Sequence, residues 1–227
     1  MIAARFRARP NRFLTVVELR GKSLEAHLPD PGRLRELLVP GCRVWVRPAR
    51  SRGRKTGYTL AVVEAESGEL VSVVTTLPND LVAEALCDKR ISELLDWTVA
   101  GREYPWGHSR FDFLLAAGDA RRMLVEVKSV TLVEGRRALF PDAVTARAAR
   151  HVRELAEACR ANGLEAAVIF VVQRRDADEV AAARTIDPVL ADALTDARRA
   201  GVQLLAYRCI VTLDEARIAE RLPVSVG

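Results

Sequence analysis

The sequence predicts an α/β protein in two parts: a small β-barrel of the oligonucleotide-binding (OB) kind over residues 1–80, then a mixed-sheet α/β domain over residues 81–227. Three observations carry this. Short strand-like runs separated by Gly- and Pro-rich turns fill residues 12 to 76. From about residue 80 strand and helix patterns alternate. The run from Ala166 to Gln173 is apolar and rich in Val and Ile, as in a strand buried on both faces of a sheet with a parallel part. With 227 residues, 49% of them hydrophobic, the chain can bury a proper core in each part.

The first part reads as strands at Phe13 to Leu19, Ser23 to His27, Arg43 to Arg47, Tyr58 to Glu64 and Leu70 to Thr75, with a helical turn at Arg33 to Leu38. Five short strands suit a partly open barrel. Between two of them, Arg47 to Lys55 is too basic and flexible for a core, so Arg50, Arg52, Arg54 and Lys55 are expected to meet phosphates. Arg5, Arg7, Arg9 and Arg12 form a second basic cluster. The charge is uneven: residues 1–80 hold 14 basic and 8 acidic side chains, residues 81–227 hold 21 and 22. A basic module joined to a near-neutral one fits a phosphate-backbone binder that carries a separate site.

Asn79, after Pro78, is expected to cap a helix with Leu81, Val82, Ala85 and Leu86 on one face, ending near Leu95 with a break around Asp88 to Arg90. The runs Phe111 to Leu115 and Met123 to Lys128 flank the turn signal Gly118-Asp119 and predict a hairpin. Asp142 is expected to cap a helix running to Ala161 and stopped by Gly163, with Val144, Ala148, Val152, Leu155 and Cys159 on its apolar stripe. Asp187-Pro188 opens another helix, ending at Gly201, and Val202 to Tyr207 is the last strand.

The chemistry concentrates on the hairpin. Strand alternation puts Glu126 and Lys128 on one face, with Asp112 on the neighbouring strand. Buried carboxylates need partners, and a Mg²⁺ or Mn²⁺ ion between Asp112 and Glu126 would supply one while keeping several waters. Lys128 would then assist the attacking water or the charge on a phosphate. The alternative is structural, with Glu126 and Lys128 paired on a solvated face and Asp112 bridged to Arg110. Composition favours the first reading: only four of 35 basic residues are lysines, and Lys128 keeps an amine where the chain otherwise prefers guanidinium. Arg147, on the following helix, and Arg110 are expected to reach a substrate backbone.

Other classes find no support. Cys42, Cys87, Cys159 and Cys209 show neither zinc spacing nor a disulfide framework. No apolar leader or membrane-length run is present, so a cytoplasmic protein without membrane contact is expected. Phosphate loops and dinucleotide fingerprints are absent. His27, His108 and His151 read as structural.

The segments Arg12-Phe13-Leu14, His27-Leu28-Pro29 with Gly32, Leu77-Pro78-Asn79, Ser109 to Leu115, Glu126 to Leu132 and Phe140 to Arg147 together resemble the sugar fermentation stimulation protein A family over nearly the whole chain. The resemblance implies an OB-like domain and a C-terminal domain similar to PD-(D/E)XK nucleases, in a DNA-binding protein linked to sugar (maltose-type) metabolism. It implies that Asp112, Glu126 and Lys128 are the metal-binding and water-activating set. Glu84 or Glu103 would add a further carboxylate, and Gln173 would lie near the scissile phosphate or simply end its strand. The family's usual Pro-Asn-Thr-Gly reads Pro29-Asp30-Pro31-Gly32 here, an added acid that argues against phosphate contact by this turn. DNA is the expected partner, bound by a nuclease or by a non-catalytic regulator, and the sequence leaves open whether the chain forms a homodimer.

Overall fold

The computed structural model describes residues 1–49 and 55–226. In the first part, β1 (Ile2–Asn11), β2 (Leu14–Leu19), β3 (Lys22–His27), β4 (Arg43–Pro48), β5 (Tyr58–Glu64) and β6 (Leu70–Ser72) form one sheet in the order β3-β2-β1-β4-β5-β6. A parallel β3–β5 pairing joins the ends and closes a five-stranded barrel. Closure removes the sheet edges that short strands would otherwise expose. The barrel interior is apolar, built on Phe6, Val17, Leu28, Val44, Leu60 and Val71, with Leu34 and Leu37 from a single helical turn as its plug.

The strand β1 was not expected, because its exposed arginines mask the alternation of Ala4 and Phe6 toward the core. This corrects the reading of Arg5, Arg7, Arg9 and Arg12 as one basic cluster. Arg5 donates to the Gly41 carbonyl, Arg7 pairs with Glu18, and Arg9 donates to the carbonyls of Arg12, Asp30 and Arg33. Those three cations hold the barrel together, which leaves Arg12, at the β1–β2 turn, as the one of the four whose side chain has no partner among the described residues.

The second part opens with α1 (Leu77–Cys87), whose N-cap is Thr76. Asn79 therefore lies inside the first turn, and the helix stops at Cys87 instead of reaching Leu95, with a 3₁₀ turn at Ser92–Leu94 after the break. There follow β7 (Thr98–Trp106), β8 (Ser109–Ala117), β9 (Arg121–Val130), β10 (Val133–Glu134), β11 (Arg137–Phe140), α2 (Ala146–Asn162), β12 (Glu165–Val172), β13 (Glu179–Ala182), α3 (Pro188–Arg199), β14 (Gln203–Val211), β15 (Ala216–Leu222) and β16 (Val224–Ser225). The main sheet runs β15-β14-β12-β9-β8-β7; β12 is parallel to both β9 and β14, and the remaining pairs are antiparallel. A smaller sheet, β10-β11-β13-β16, lies beside it.

Helices cover both faces of the main sheet, as a central strand apolar on both sides requires. Leu124, Val168, Phe170 and Ala206 pack with α2 and α3 on one face; Met123, Val125, Ile169 and Leu205 pack with α1 on the other. The entry to α2 is capped by Thr145, whose hydroxyl accepts from the Ala148 N–H, and Gly163 closes it in a left-handed conformation. Asp142 thus precedes the cap by three residues, and Val144, expected on the apolar stripe, is 67% exposed. Asp187 caps α3 as expected: one oxygen accepts from Leu190 N–H, the other from Thr145 N–H, so one buried carboxylate ties both helix starts.

Barrel and α/β part meet along the segment after β12. Ser72 N–H donates to the Gln173 carbonyl, Ser67 donates to Asp176, and Arg175 pairs with Glu69. No helix among the described residues is long and apolar enough to cross a membrane.

Candidate metal and phosphate site

The β8–β9 ladder runs from Ala117↔Arg121 to Phe113↔Val125 and stops there. Asp112 and Glu126 are the next residue on each strand. The Asp112 carboxylate takes the place of a ladder carbonyl, its Oδ2 accepting from Val127 N–H at 2.7 Å, and Oδ1 accepts from the Asn79 side chain at 2.5 Å. The predicted cap residue is therefore a site residue: from the first turn of α1 it reaches the carboxylate on β8, and no Asp112–Arg110 bridge forms among the described residues.

Glu126 is 5% exposed. Its Oε1 accepts from Lys128 Nζ at 2.6 Å and lies 2.8 Å from His151 Nδ1, while Oε2 is buried with no hydrogen-bond partner among the described residues. An orphaned carboxylate oxygen in the interior is costly unless something cationic meets it. Burial and then the Glu126 charge push the Asp112 carboxyl up, against the pull of Val127 N–H, Asn79 and Lys128. For Glu126, burial also pushes up, but the His151 hydrogen bond and the Lys128 charge outweigh it and hold the group below its ordinary value. One carboxylate of the pair is thus compensated and the other is not, the arrangement a divalent cation would relieve.

This pair lies in a cleft of ≈ 590 Å³ between the barrel and the α/β part. Arg12, Asp30 and Gly32 line it from the barrel; Asn79, Asp112, Glu126, Lys128 and Ser129 from α1, β8 and β9; Asp142 and Arg147 from the approach to α2. The Pro29-Asp30-Pro31-Gly32 turn, expected to avoid the phosphate path, is part of its wall. Asp30 accepts from Gly32 N–H, and burial, with the Asp142 charge adding to it, pushes its carboxyl up to about 6. Gly32 is needed where it stands, since a Cβ there would come 2.1 Å from Asp142 Oδ2. Gly32→Ala is expected to cost about 1–2 kcal/mol in urea unfolding, because the Asp142 carboxylate, whose Oδ2 is buried, must move aside.

Several expected residues lie elsewhere. Glu84 is 57% exposed and paired with Arg90. Five residues after Asn79 it points about 140° away around the helix, so α1 cannot turn both to the cleft. Glu103 is exposed on β7. Among the described residues no group of three His, Cys, Asp or Glu side chains converges, so a bound ion would rest on Asp112 and Glu126 and complete its shell with water. Glu84→Gln is expected to leave Mn²⁺ affinity within about twofold of the parent in a calorimetric titration, as substitutions of exposed pairs do.

Gln173 is fully buried and donates to the Ser129 hydroxyl at 2.7 Å; Ser129 lines the cleft and Gln173 lies behind it. Arg110 and Lys55 are exposed and do not line the cleft. Arg50, Arg52 and Arg54 fall outside the described residues. His151, read as structural, is buried, stacks edge-on against Phe111 and supports Glu126. Its spacing from Glu126, 25 positions along the chain, offered no local pattern.

Fold and site together define a class: an OB-type barrel joined to a mixed-sheet α/β domain, with a carboxylate pair and a lysine in the cleft between them. The family described as "SfsA N-terminal OB domain" matches residues 8–73, and "Sugar fermentation stimulation protein RE domain" matches residues 76–215. A sugar fermentation stimulation protein homolog of Shouchella clausii is 44% identical over 96% of this chain and 94% of its own. One from Moorella thermoacetica is 42% identical over 100% and 96%. The solved structure of Pyrococcus furiosus SfsA in complex with Ca²⁺ superposes with a TM-score of 0.89 at 28% identity, covering 98% of this chain and 95% of that one. The chain belongs to the sugar fermentation stimulation protein family.

Proposed function

We propose that this protein binds DNA and hydrolyses its phosphodiester bonds with Mg²⁺ or Mn²⁺ held by Asp112 and Glu126, in a domain similar to PD-(D/E)XK nucleases. The observation that carries the reading is the Glu126 carboxylate, with Lys128 and His151 on one oxygen and the other buried without a partner among the described residues, beside Asp112, whose carboxyl burial and the Glu126 charge push up. The donor set is hard oxygen from two carboxylates, suited to a small divalent ion. When bound, such an ion supplies an activated water and neutralises charge on the phosphate. The Ca²⁺ bound by the Pyrococcus relative supports this chemistry in the family.

The residues divide the work. Asn79 and Val127 N–H fix the Asp112 carboxylate, and His151 fixes Glu126 so that Oε2 faces the missing charge. Lys128, anchored on Glu126, presents an ammonium beside the reacting phosphate and stabilises charge that develops there. Arg12 and Arg147 flank the cleft from opposite parts of the protein and hold neighbouring phosphates. With Asp30, Asp112, Glu126 and Asp142 all lining the cleft, its anionic floor repels a phosphate at the carboxylate pair until a cation has entered, while Arg12 and Arg147 can hold neighbouring phosphates without one. Four free cysteines agree with residence in the cytoplasm.

The names of the relatives refer to sugar fermentation, and a second reading, a DNA-binding regulator of sugar metabolism in which the site is dormant, accommodates that link directly. Incubating the protein with circular single-stranded and duplex DNA in Mg²⁺, Mn²⁺ or EDTA separates the two. Cutting in the metals and none in EDTA supports a nuclease; retention of DNA without cutting in every condition supports the regulator.

A further inference from the structure

Arg12 and Phe13 are the two residues of the β1–β2 turn. Arg12 lines the cleft, and Phe13, the next residue, is 48% exposed. A single exposed apolar side chain usually means nothing. This one sits on a turn held rigid from three sides. Asn11 Oδ1 accepts from Phe13 N–H at 2.9 Å, the Phe13 carbonyl accepts from Leu28 N–H at 2.9 Å, and the Arg9 guanidinium binds the Arg12 carbonyl at 2.9 Å while also holding Arg33 and Asp30. Arg9 is committed to those carbonyls although burial depresses its basicity. An exposed aromatic side chain on a fixed backbone, next in sequence to a cation that lines the cleft, is the pairing that stacks a base and holds its backbone. The turn between the first two strands is also one of the loops with which barrels of this topology contact oligonucleotides.

The cleft selects further. Glu126 lies at its floor, and ≈ 590 Å³ falls in the range that encloses a drug-sized molecule. A nucleotide can enter such a space, while a base-paired one must first leave its partner. A duplex also keeps its bases stacked on each other and offers no face to Phe13. We propose, building on the function inferred above, that the site takes an unpaired DNA strand, with one base stacked on Phe13 and the adjoining phosphate on Arg12.

The test is fluorescence anisotropy in EDTA, with a labelled single strand and the same sequence as a duplex, on the full chain and on Phe13→Ala, Phe13→Trp, Phe13→Leu and Arg12→Ala. Phe13→Ala should weaken single-strand binding by roughly tenfold or more, the scale of base stacking on one ring, and duplex binding by less than about twofold. Phe13→Trp should keep the affinity and Phe13→Leu should not, since the ring and not its bulk is what counts. Arg12→Ala should reduce the salt dependence by about one phosphate contact. Equal losses on both DNA forms, no loss, or full binding by Phe13→Leu would overturn the proposal and leave the nuclease reading standing. A parent protein that binds neither form would overturn both. Thermal unfolding at the parent's temperature confirms that the exposed-site variants are folded.

Discussion

Asp112→Asn is expected to lower DNA cleavage by about a thousandfold or more and to abolish divalent-ion binding, because it removes one of the two charges that would hold the ion. The variant should nevertheless fold at least as stably as the parent in EDTA. Burial and the Glu126 charge raise the Asp112 pKa in the folded state. A raised carboxyl favours folding below its unfolded pKa, and that contribution is lost as pH rises through the folded value. At neutral pH the ionised group is therefore a liability to the metal-free protein, and the neutral amide, which can still accept from Val127 N–H, removes it. Urea unfolding at pH 5 and pH 8 checks the sign: the advantage of the variant should be larger at pH 8. Added Mn²⁺ should stabilise the parent and leave Asp112→Asn unchanged.

Lys128→Ala should also lower the rate, by a different route. The ammonium and Glu126 Oε1 are 2.6 Å apart with side chains only 14% and 7% exposed, so truncation leaves a buried carboxylate with His151 alone on that oxygen. Breaking one side of such a pair costs about 3 kcal/mol or more. Glu126 is held below its ordinary pKa, so its contribution to stability is present above the unfolded value and lost as pH falls through the folded one. Without Lys128 that loss should begin at higher pH, seen as an acid unfolding limb displaced upward. Cleavage should fall by about a hundredfold or more with Mn²⁺ still bound, since the lysine acts on developing charge and the carboxylates remain. A loss of ion binding equal to that of Asp112→Asn would instead assign Lys128 a purely structural role.

How much of this was legible without coordinates differs by element. The hairpin that carries Asp112, Glu126 and Lys128 was readable because alternation survives in β8, β9 carries a short apolar run interrupted only by Glu126 and Lys128, and a Gly-Asp turn separates them. The barrel strands β2 to β5 were readable as short strand-like runs between Gly- and Pro-rich turns. Strand β1 was not, since arginines used for internal pairing look the same in sequence as arginines kept for a ligand. Strand β7 escaped because almost all its residues are exposed, which erases the period. The short strands β10, β11, β13 and β16 depend on partners far along the chain, and no local pattern marks them.

The site shows the same division. Its anionic and lysine members were legible from spacing within one strand and its neighbour. Asn79 and His151 were not, because each acts across the fold on a side chain 33 or 25 positions away. Glu84 was chosen for being an acid on the correct helix, yet rotation about that helix turns Asn79, not Glu84, to the carboxylate. Asp30 and Gly32 entered the cleft only when the barrel docked through Gln173 and Asp176.

On the function proposed above, Asp112 and Glu126 together hold one divalent ion. The most direct measurement is anomalous diffraction at the manganese edge from crystals soaked in Mn²⁺. An anomalous peak in contact with both the Asp112 carboxylate and Glu126 Oε2, absent from Asp112→Asn crystals, is the expected result. Manganese bound elsewhere, with Glu126 Oε2 still without a partner, would contradict it.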